Sequence, residues 1–299
     1  MLDVVIIGSG PAGITAAIYA KRANLNVAVV EKEYLGTGQI AESSRVDNYP
    51  GISGIDGYSL GEKFREHAES LGVEFTEAQV LSLGQKDGIW IIGCDEDITL
   101  ESKAVIYATG CKNRPLGVPG EEKYYGRGLS FCAVCDGAFY KGKRVAVIGG
   151  GDTALDDAMY LSDICEKVYL VHRREFFRGS ASTLEKLKQK ENVEIIVNVR
   201  VEEITGDKKI DGIILDNKTK LNISGLFAAV GMIPQTELLK EFGVLDESNY
   251  VKASEDTKTT VNGLFAAGDV RTKQLRQVVT AAADGANAIY SVMEYLRNI

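Results

Sequence analysis

Apolar and polar positions near the N-terminus predict a strand, a helix and a second strand. The stretch from Asp3 to Ile7 is apolar after its first residue, a helical pattern runs to about Ala23, and an apolar strand from Val27 to Val30 ends at Glu31. Strands that are apolar on both faces are typical of a parallel sheet that helices cover on both sides. This segment is therefore predicted to be a βαβ unit.

The same pattern recurs in the middle of the chain. An apolar strand from Arg144 to Ile148 is followed by a glycine-rich turn, a helix to about Cys165 and a strand from Val168 to Val171. Three further apolar strands end in small residues, at Val105 to Gly110, Leu226 to Gly231 and Leu264 to Asp269. Two βαβ units of this kind predict an α/β protein with two Rossmann-like dinucleotide folds.

The remaining segments are expected to complete two domains. Short strands from Glu74 to Leu83 and from Gly88 to Leu100 are predicted to form a small antiparallel addition. Apolar residues at helical spacing predict a long helix from about Gln277 to Arg297. The length of 299 residues suits two domains, since a domain usually has roughly 100 to 200 residues. Their joints are predicted to be short hinges near Lys112 and Met232.

Composition and charge narrow the class of protein. The net charge is -8, so a broad attraction to nucleic acid or to an anionic membrane is not expected. No apolar run approaches the length of about 18 residues that a membrane helix needs, and no export signal is predicted at the N-terminus. Five cysteines are few and odd in number, which favours a reducing compartment. The chain is therefore predicted to be cytoplasmic.

The first glycine turn, residues 8–13, has a spacing that suits a dinucleotide. Gly8 permits a tight turn, Gly10 lets the backbone approach a pyrophosphate, and Gly13 lets the following helix pack on its strand. The N-terminus of that helix then binds phosphate, and Glu31 is an acceptor for ribose hydroxyls. The alternative is a glycine turn that binds no ligand, with Glu31 a surface acid.

The second glycine turn, residues 149–154, belongs to a unit whose second strand has a different end. Gly149, Gly151 and Ala154 keep the spacing of a dinucleotide turn, but the strand ends in a basic segment, residues 172–178, rather than in an acid. The segment contains His172, Arg173, Arg174 and Arg178. Because arginine binds phosphate in a bidentate manner, the segment suits the 2′-phosphate of NADPH. A solvated basic turn is the alternative.

A pair of cysteines before the second unit has the spacing of a redox pair. Two residues separate Cys132 from Cys135, which brings the sulfurs within disulfide reach, and a helix start there would stabilise a thiolate. Asp136 follows directly and is a candidate proton shuttle. Half of a zinc site is one alternative, although tetrahedral zinc needs two further ligands. A silent buried pair is another, and no metal is predicted.

These motifs resemble those of the bacterial low-molecular-weight thioredoxin reductases over essentially the full chain. Their order and spacing carry the resemblance, since any one motif alone is weak. The matching segments are GSGPAG at 8–13, TGQIAESSRVDNYPG at 37–51, ATG at 108–110, CAVCDG at 132–137, GGGDTA at 149–154, HRREFFRG at 172–179 and AAGDVRTKQLRQVVTAAADG at 266–285.

The resemblance implies a fold and an activity. An FAD-binding domain, residues 1–112 plus 232–299, would be split in sequence around an inserted NADPH-binding domain, residues 113–231, that carries the cysteine pair. Both would be three-layer Rossmann-like domains. Electrons would pass from NADPH through FAD and the Cys132/Cys135 disulfide to oxidised thioredoxin, with rotation of the NADPH domain, in a homodimer.

The resemblance also implies the roles of individual residues. Cys135 would lie nearest the flavin, Cys132 would attack thioredoxin, and Asp136 would act as acid or base. Arg127 and Phe139 would dock thioredoxin. The FAD residues would be Gly8, Gly10, Pro11, Ala12, Gly13, Glu31, Lys32, Gln39, Asn48, Gly110, Gly268, Asp269, Arg276, Gln277 and Val278. The NADPH residues would be Gly151, Asp152, Thr153, His172, Arg173, Arg174 and Arg178.

The chain departs from the family pattern at few positions, and three rival functions stay open. The departures are Asp156-Asp157 in place of paired glutamates, Gly179 and Cys111, and none removes a chemical role. The rivals are a related flavoprotein with ferredoxin as donor or oxygen as acceptor, a reductase for another thiol carrier, and a non-enzymatic redox sensor. The intact segments at 149–154 and 172–178 disfavour a donor other than NADPH.

Overall fold

The computed structural model describes residues 1–33, 37–43 and 45–299. Ser44, within the motif at 37–51, lies outside the described residues. The chain divides into two compact units. The first unit comprises Met1–Lys112 and Ile233–Ile299, and the second comprises Asn113–Met232.

Strands and helices alternate in the first part of each unit, and a run of consecutive strands follows. The chain begins with β1 (Leu2–Ile7), α1 (Pro11–Arg22), β2 (Val27–Glu31), a 3₁₀ helix (Gly38–Glu42), α2 (Gly57–Ser70), β3 (Glu74–Glu77), β4 (Val80–Lys86), β5 (Ile89–Cys94), β6 (Thr99–Tyr107) and β7 (Cys111–Asn113). It continues with a 3₁₀ helix (Glu121–Tyr124), β8 (Leu129–Ser130), α3 (Ala133–Asp136), a 3₁₀ helix (Gly137–Tyr140), β9 (Arg144–Gly149), α4 (Asp152–Ser162), β10 (Lys167–His172), α5 (Ala181–Lys188), β11 (Val193–Val197), β12 (Val201–Thr205), β13 (Gly212–Leu215), β14 (Lys220–Asn222) and β15 (Gly225–Ala229). The last elements are β16 (Met232–Pro234), a 3₁₀ helix (Glu237–Phe242), β17 (Leu264–Ala266) and α6 (Val278–Leu296). Within the described part of the chain, no helix combines the length and the apolar character of a membrane span.

The sheet of the first unit has a parallel centre. Its strands run in the order β3-β2-β1-β6, and β17 also pairs in parallel with β6. Helices join β1 to β2 and β2 to β3, which is the connection that parallel strands require. Helices α1 and α6 pack so closely that a Cβ atom at Gly285 would lie 2.2 Å from the Ala12 carbonyl oxygen.

The prediction of a wholly antiparallel addition is wrong for its first strand. Residues Glu74–Glu77 form β3, which pairs in parallel with β2, because α2 returns the chain to the same end of the sheet. The strands β4 and β5 are antiparallel as predicted, and β5 pairs with β6. Leu100 belongs to β6 rather than to β5.

The sheet of the second unit is parallel, with the order β11-β10-β9-β15-β8. An antiparallel sheet that the sequence pattern did not indicate, β12-β13-β14, shares an apolar core with it. Helix α4 ends at Ser162 rather than near Cys165, because the chain turns there and the Gly142 amide donates to the Ile164 carbonyl oxygen. Two Rossmann-like sheets confirm the predicted α/β class.

Candidate functional site

The carboxyl ends of β1, β2, β6 and β17 lie at one edge of the first unit's sheet, because these strands are parallel. The first glycine turn leaves β1 at this edge. Gly8 has a φ of +104°, and a Cβ atom there would lie 2.5 Å from the Ala108 carbonyl oxygen, just after β6. Glycine is the residue that fits both this conformation and this close approach. In open α/β sheets, ligands bind outside this edge.

The helix after this turn begins at an open position. Helix α1 has Gly10 at its N-cap and Pro11 at its first position, and no described side chain caps it. Among the described atoms, a Cβ atom at Gly10 would meet nothing closer than 3.9 Å, whereas one at Gly13 would lie 1.9 Å from the Gly8 carbonyl oxygen. Ala12 is buried in the first turn. The first amides of α1 are therefore available to an anion.

Glu31, at the end of β2, is tied to the first glycine turn. Its carboxylate accepts hydrogen bonds from the Ser9 amide at 3.0 Å and from the Ser9 hydroxyl at 3.1 Å. The Lys32 amide donates to the other carboxylate oxygen at 2.9 Å, and the Lys32 amine pairs with Glu33. The acid is thus held at the position where a dinucleotide fold binds ribose.

The turns after β6 and β17 complete the same edge. Gly110 and Gly268 have φ angles of +66° and +83°, which glycine adopts readily. A Cβ atom at Gly268 would lie 2.9 Å from the Ala12 Cβ atom, so this turn touches the start of α1. The Oδ1 atom of Asp269 is buried and has no hydrogen-bond partner among the described residues. Burial raises the pKa of Asp269 to about 6.

Residues far apart in sequence meet in the first unit. The Asn48 side-chain amide donates to the Gln277 side-chain oxygen at 2.9 Å, across 229 positions. Gln277 is the N-cap of α6, and Val278 is its first residue. The guanidinium carbon of Arg276 lies 4.3 Å from the centre of the Tyr250 ring. Gln39 is half-buried in the 3₁₀ helix after β2. The structure thus joins Asn48 to Gln277, two of the residues that the resemblance assigns to FAD.

A buried ionic network, which sequence reasoning missed, holds the turn after β17. Asp284 in α6 accepts hydrogen bonds from the Gly268 amide at 2.8 Å, from Arg271 at 2.7 and 2.8 Å and from Lys273 at 2.8 Å. Burial opposes ionisation of Asp284, but the hydrogen bonds from Arg271 and Lys273 outweigh it and lower the pKa of Asp284. The sequence signal was an acid in an apolar helix, together with three basic residues just before that helix.

The second glycine turn has the same plan as the first. A Cβ atom at Gly149 would lie 2.3 Å from the Ala229 carbonyl oxygen, so β9 and β15 meet closely there. Gly151 is the N-cap of α4, and a Cβ atom there would meet no described atom within 4 Å. Asp152 and Thr153 begin α4 and are exposed. The open side of this turn therefore lies at the start of α4.

The basic segment consists of one buried histidine and three exposed arginines. His172 is buried beneath Gly150, where a Cβ atom would lie 2.2 Å from its ring. Burial lowers the pKa of His172; the hydrogen bond to the Phe176 carbonyl oxygen opposes this, and the neighbouring arginines lower the pKa further. Arg173, Arg174 and Arg178 are exposed, and none forms an ion pair within the described ranges. His172 supports the segment, and the three guanidinium groups are free for an anion.

The cysteine pair lies at the same sheet edge as the second glycine turn. Cys132 and Cys135 form a disulfide with a Cα–Cα distance of 5.3 Å. One residue separates Cys132 from the end of β8, which is an edge strand of the sheet and runs parallel to β15. The Cys132 Sγ atom caps α3 and accepts a hydrogen bond from the Cys135 amide at 3.2 Å. A disulfide is the oxidised form of a redox pair, which favours that interpretation over half of a zinc site.

Three further cysteines, Cys94, Cys111 and Cys165, are buried and unpaired. Burial raises the pKa of the Cys111 thiol to about 12 and that of the Cys165 thiol to about 11, so both stay protonated. Reactive cysteines need a lowered pKa and exposure. These residues therefore have the properties of structural cysteines.

Asp136 is joined to Cys132 through Ser130, a residue with no predicted role. The Ser130 hydroxyl donates to Asp136 Oδ2 at 2.6 Å and accepts from the Cys132 amide at 3.1 Å. Burial raises the pKa of Asp136, and the hydrogen bond from Ser130 opposes that rise. The Asp136 carboxyl group is thus anchored, through Ser130, to the backbone of the disulfide.

Comparison with known proteins identifies the family. A profile described as pyridine nucleotide-disulphide oxidoreductase matches residues 2–285. The chain belongs to this family. It is 38% identical to a thioredoxin reductase of Bacillus subtilis over 99% of this chain and 95% of that protein, and 40% identical to one of Helicobacter pylori over 100% of both. The crystal structure of thioredoxin reductase from Streptococcus pyogenes MGAS5005 is similar with a TM-score of 0.93 and 40% identity, over 100% of this chain and 99% of that one.

These similarities confirm the resemblance and the fold. The match extends over both units, so it includes the two glycine turns and the cysteine pair together. A member of the pyridine nucleotide-disulphide oxidoreductase family is a flavoprotein oxidoreductase, and the chain is therefore an enzyme of this class. The non-enzymatic redox sensor is accordingly disfavoured.

Proposed function

We propose that the chain is a thioredoxin reductase that passes electrons from NADPH through FAD and the Cys132–Cys135 disulfide to oxidised thioredoxin. The observation that carries the proposal is the disulfide, which lies at the same sheet edge as the basic segment. The thioredoxin reductases that resemble the chain match it over its full length, which supports the same activity. The proposal includes a homodimer that acts in the cytoplasm.

The edge of the first unit fits FAD. The Oδ1 atom of Asp269 lacks a partner among the described residues, and a ligand hydroxyl would satisfy it. The open side of Gly10 and the first amides of α1 suit a pyrophosphate, and Glu31 suits ribose hydroxyls. When bound, FAD supplies the two-electron chemistry that connects a hydride donor to a disulfide. We therefore assign FAD binding to the first unit.

The second glycine turn and the basic segment fit NADPH. Arg173, Arg174 and Arg178 are exposed and have no anionic partner within the described ranges, so a 2′-phosphate would supply the opposite charge. Asp152 accepts a hydrogen bond from the Ser180 amide at 2.7 Å, which holds the end of the basic segment against the start of α4. Since NADH lacks the 2′-phosphate, we expect the enzyme to prefer NADPH.

The reduced cysteine pair exchanges with the acceptor disulfide in two steps. The Cys132 thiolate attacks one acceptor sulfur, the acceptor S–S bond breaks, and the released acceptor thiolate takes a proton. Cys135 then attacks the Cys132 sulfur, which restores the Cys132–Cys135 bond and releases the second acceptor thiolate, and this also takes a proton. Both protons come from the cysteine thiols through Asp136. Two electrons thus move from the dithiol to the acceptor.

Exposed apolar side chains near the disulfide suit a protein acceptor. Val134, between the two cysteines, is 58% exposed, and Phe139 is 42% exposed. Arg127 is exposed in the same unit. Aromatic side chains and arginine are enriched in protein interfaces. We therefore expect thioredoxin to dock on this surface.

Turnover requires movement between the units. The cysteine pair and the proposed NADPH site belong to the second unit, whereas the proposed FAD site belongs to the first. The cysteine pair and the proposed NADPH site have to reach the flavin in turn. The proposal therefore includes rotation of the second unit about the joints near Lys112 and Met232.

Anaerobic stopped-flow absorbance of the flavin band tests the proposal. NADPH is expected to bleach the band rapidly, NADH at least about tenfold more slowly, and oxidised thioredoxin should restore it. Cys132→Ser is expected to abolish the recovery. Cys165→Ser, which changes a buried unpaired cysteine of the same unit, is the matched control. Absence of bleaching by NADPH would contradict the donor, and bleaching without recovery would indicate another thiol carrier.

A further inference from the structure

Ser130 lies where a half-buried carboxyl and a redox cysteine meet. It is the last residue of β8 and is 6% exposed. Its hydroxyl oxygen lies 2.6 Å from Asp136 Oδ2, 3.1 Å from the Cys132 amide nitrogen and 3.3 Å from the Cys132 carbonyl oxygen. One hydroxyl group therefore contacts the carboxyl group and both backbone polar groups of the cysteine.

These three contacts suit both protonation states of Asp136. A hydroxyl donates one hydrogen bond and accepts two. When Asp136 is ionised, Ser130 donates to the carboxylate and accepts from the Cys132 amide. When Asp136 is protonated, the carboxylic acid donates to Ser130 Oγ, and the Ser130 hydroxyl donates to the Cys132 carbonyl oxygen. Each state keeps a bond to Asp136, but the bond to the charged carboxylate is the stronger one, so Ser130 favours the ionised form.

We propose that Ser130 is a positioning residue that holds the Asp136 carboxyl in one place while that carboxyl gains and loses its proton. The inference rests on the proposed function, in which Asp136 relays protons between the cysteine thiols and the acceptor. A carboxyl that is half-buried and loses its hydrogen-bond partner has a desolvation cost and is held less firmly. Reversal of one hydrogen bond lets the proton transfer while the heavy atoms stay in place.

Other titratable groups lie on the two elements packed against α3, the helix that contains Asp136. In the 3₁₀ helix after α3, burial and the charge of Asp136 raise the pKa of Tyr140. Tyr160 on α4 lies against the residue after Asp136, and Asp157 lies one turn earlier on the same helix. Burial and a neighbouring acid raise the pKa of Asp157 to about 7. Asp157 therefore needs its own control, whereas the two cysteines do not titrate while they form the disulfide.

Infrared titration of the oxidised holoenzyme measures the protonation of Asp136 directly. The carbonyl band of the protonated acid is isolated as the difference between each protein and its Asp136→Asn counterpart. Ser130→Ala is expected to raise the pKa of Asp136 by about 1 pH unit, because burial then acts without the opposing hydrogen bond. Ser130→Thr keeps the hydroxyl group and is expected to retain the wild-type value.

Matched variants separate the hydroxyl group from a general effect on folding. Ser130→Thr and Ser130→Val have the same shape and differ by the hydroxyl group, so this pair decides the question if Ser130→Ala does not fold. Ser162→Ala removes another buried hydroxyl of the same unit, which donates to the Met159 carbonyl oxygen at 2.6 Å. Ser162→Ala and Asp157→Asn are expected to leave the Asp136 titration unchanged.

The pH profile of thioredoxin reduction is the second measurement. The inflection in kcat/KM that Asp136→Asn removes is expected to move to higher pH in Ser130→Ala and Ser130→Val and to stay in place in Ser130→Thr. An Asp136 pKa that is equal in Ser130→Ala and wild type, or equal in Ser130→Thr and Ser130→Val, would overturn the inference. A hydroxyl-dependent Asp136 pKa in a protein that does not reduce thioredoxin would support the role of Ser130 and refute the proposed function.

Discussion

The two glycine turns share a backbone plan and differ at the end of the second strand. In the first unit, β2 ends at Glu31, whose carboxylate accepts two hydrogen bonds from Ser9. In the second unit, β10 ends at the buried His172, and exposed arginines come next. The same backbone plan thus presents an acceptor for hydroxyl groups in the first unit and cations for phosphate in the second. The fold determines where a dinucleotide is expected to lie, and a few residues at the strand end select its charge.

The turns also differ at their third small residue. A Cβ atom at Gly13 would lie 1.9 Å from the Gly8 carbonyl oxygen, so α1 approaches its strand too closely for alanine. The second turn has Ala154 at the corresponding position, and this side chain is fully buried. The first helix therefore lies closer to its turn than the second does. Substitutions in the two turns test what the close approach of the helix contributes, and substitutions at the strand ends test what the charges contribute to nucleotide selection.

Gly13→Ala is expected to have the largest effect. The clash is with backbone, which no side-chain rotation relieves, so we expect a destabilised protein that does not retain FAD. Ala154→Gly, the reciprocal change, is expected to cost only about 0.5–1 kcal/mol of unfolding free energy. For each purified variant, flavin absorbance checks whether FAD is retained, and unfolding followed by circular dichroism checks the stability. A yellow Gly13→Ala protein with wild-type stability would show that the close approach is unimportant.

Asp284→Asn is expected to have the next largest effect. It removes the buried anion of Arg271 and leaves this arginine only the exposed Glu255 at 3.2 Å as an anion among the described residues. Breaking a buried ion pair typically costs about 3–5 kcal/mol. Because the pKa of Asp284 is lowered in the folded chain, its contribution is present above the unfolded value of about 4 and is lost as the pH falls through the lower folded value. Urea unfolding at neutral pH measures the loss of stability in Asp284→Asn, and urea unfolding at acidic pH measures how that loss depends on pH.

Glu294→Gln is the control for this prediction. Glu294 lies on the same helix and pairs with Lys258 at the surface. Exposed pairs contribute about 0–1 kcal/mol. Equal losses of stability in the two variants would show that burial of the Asp284 network is not what makes it strong.

Arg174→Ala is expected to have the smallest effect on the stability of the folded chain and a specific effect on the binding of the nucleotide donor. A hydrogen bond to a charged group contributes about 1.5–3 kcal/mol, so the KM for NADPH should rise about 10-fold to 100-fold. The KM for NADH should hardly change, because NADH lacks the 2′-phosphate. Arg200→Ala, an exposed arginine elsewhere in the second unit, is the control. A parallel rise for both nucleotides would contradict selection by the basic segment.

Local patterns predicted much of the fold. The bounds of β1, β2, β9, β10 and α6 lie close to those predicted from periodicity, because each pattern reports which faces of a single element are apolar. The direction of β3 was predicted wrongly, since it depends on the crossover through α2 rather than on the strand's own residues. The end of α4 was misplaced because a turn bonded to Gly142 decides it.

The sequence alone determined the features that depend on neighbouring residues: the spacing of the glycines in both turns, the basic segment and the Cys132–Cys135 pair. The tertiary structure decided which distant groups meet. Asn48 reaches Gln277 across 229 positions, and Asp284 receives the Gly268 amide. Ser130 bridges Asp136 and Cys132 because α3 folds back on the end of β8. Such contacts depend on the packing of whole elements, and periodicity within one element does not contain that information.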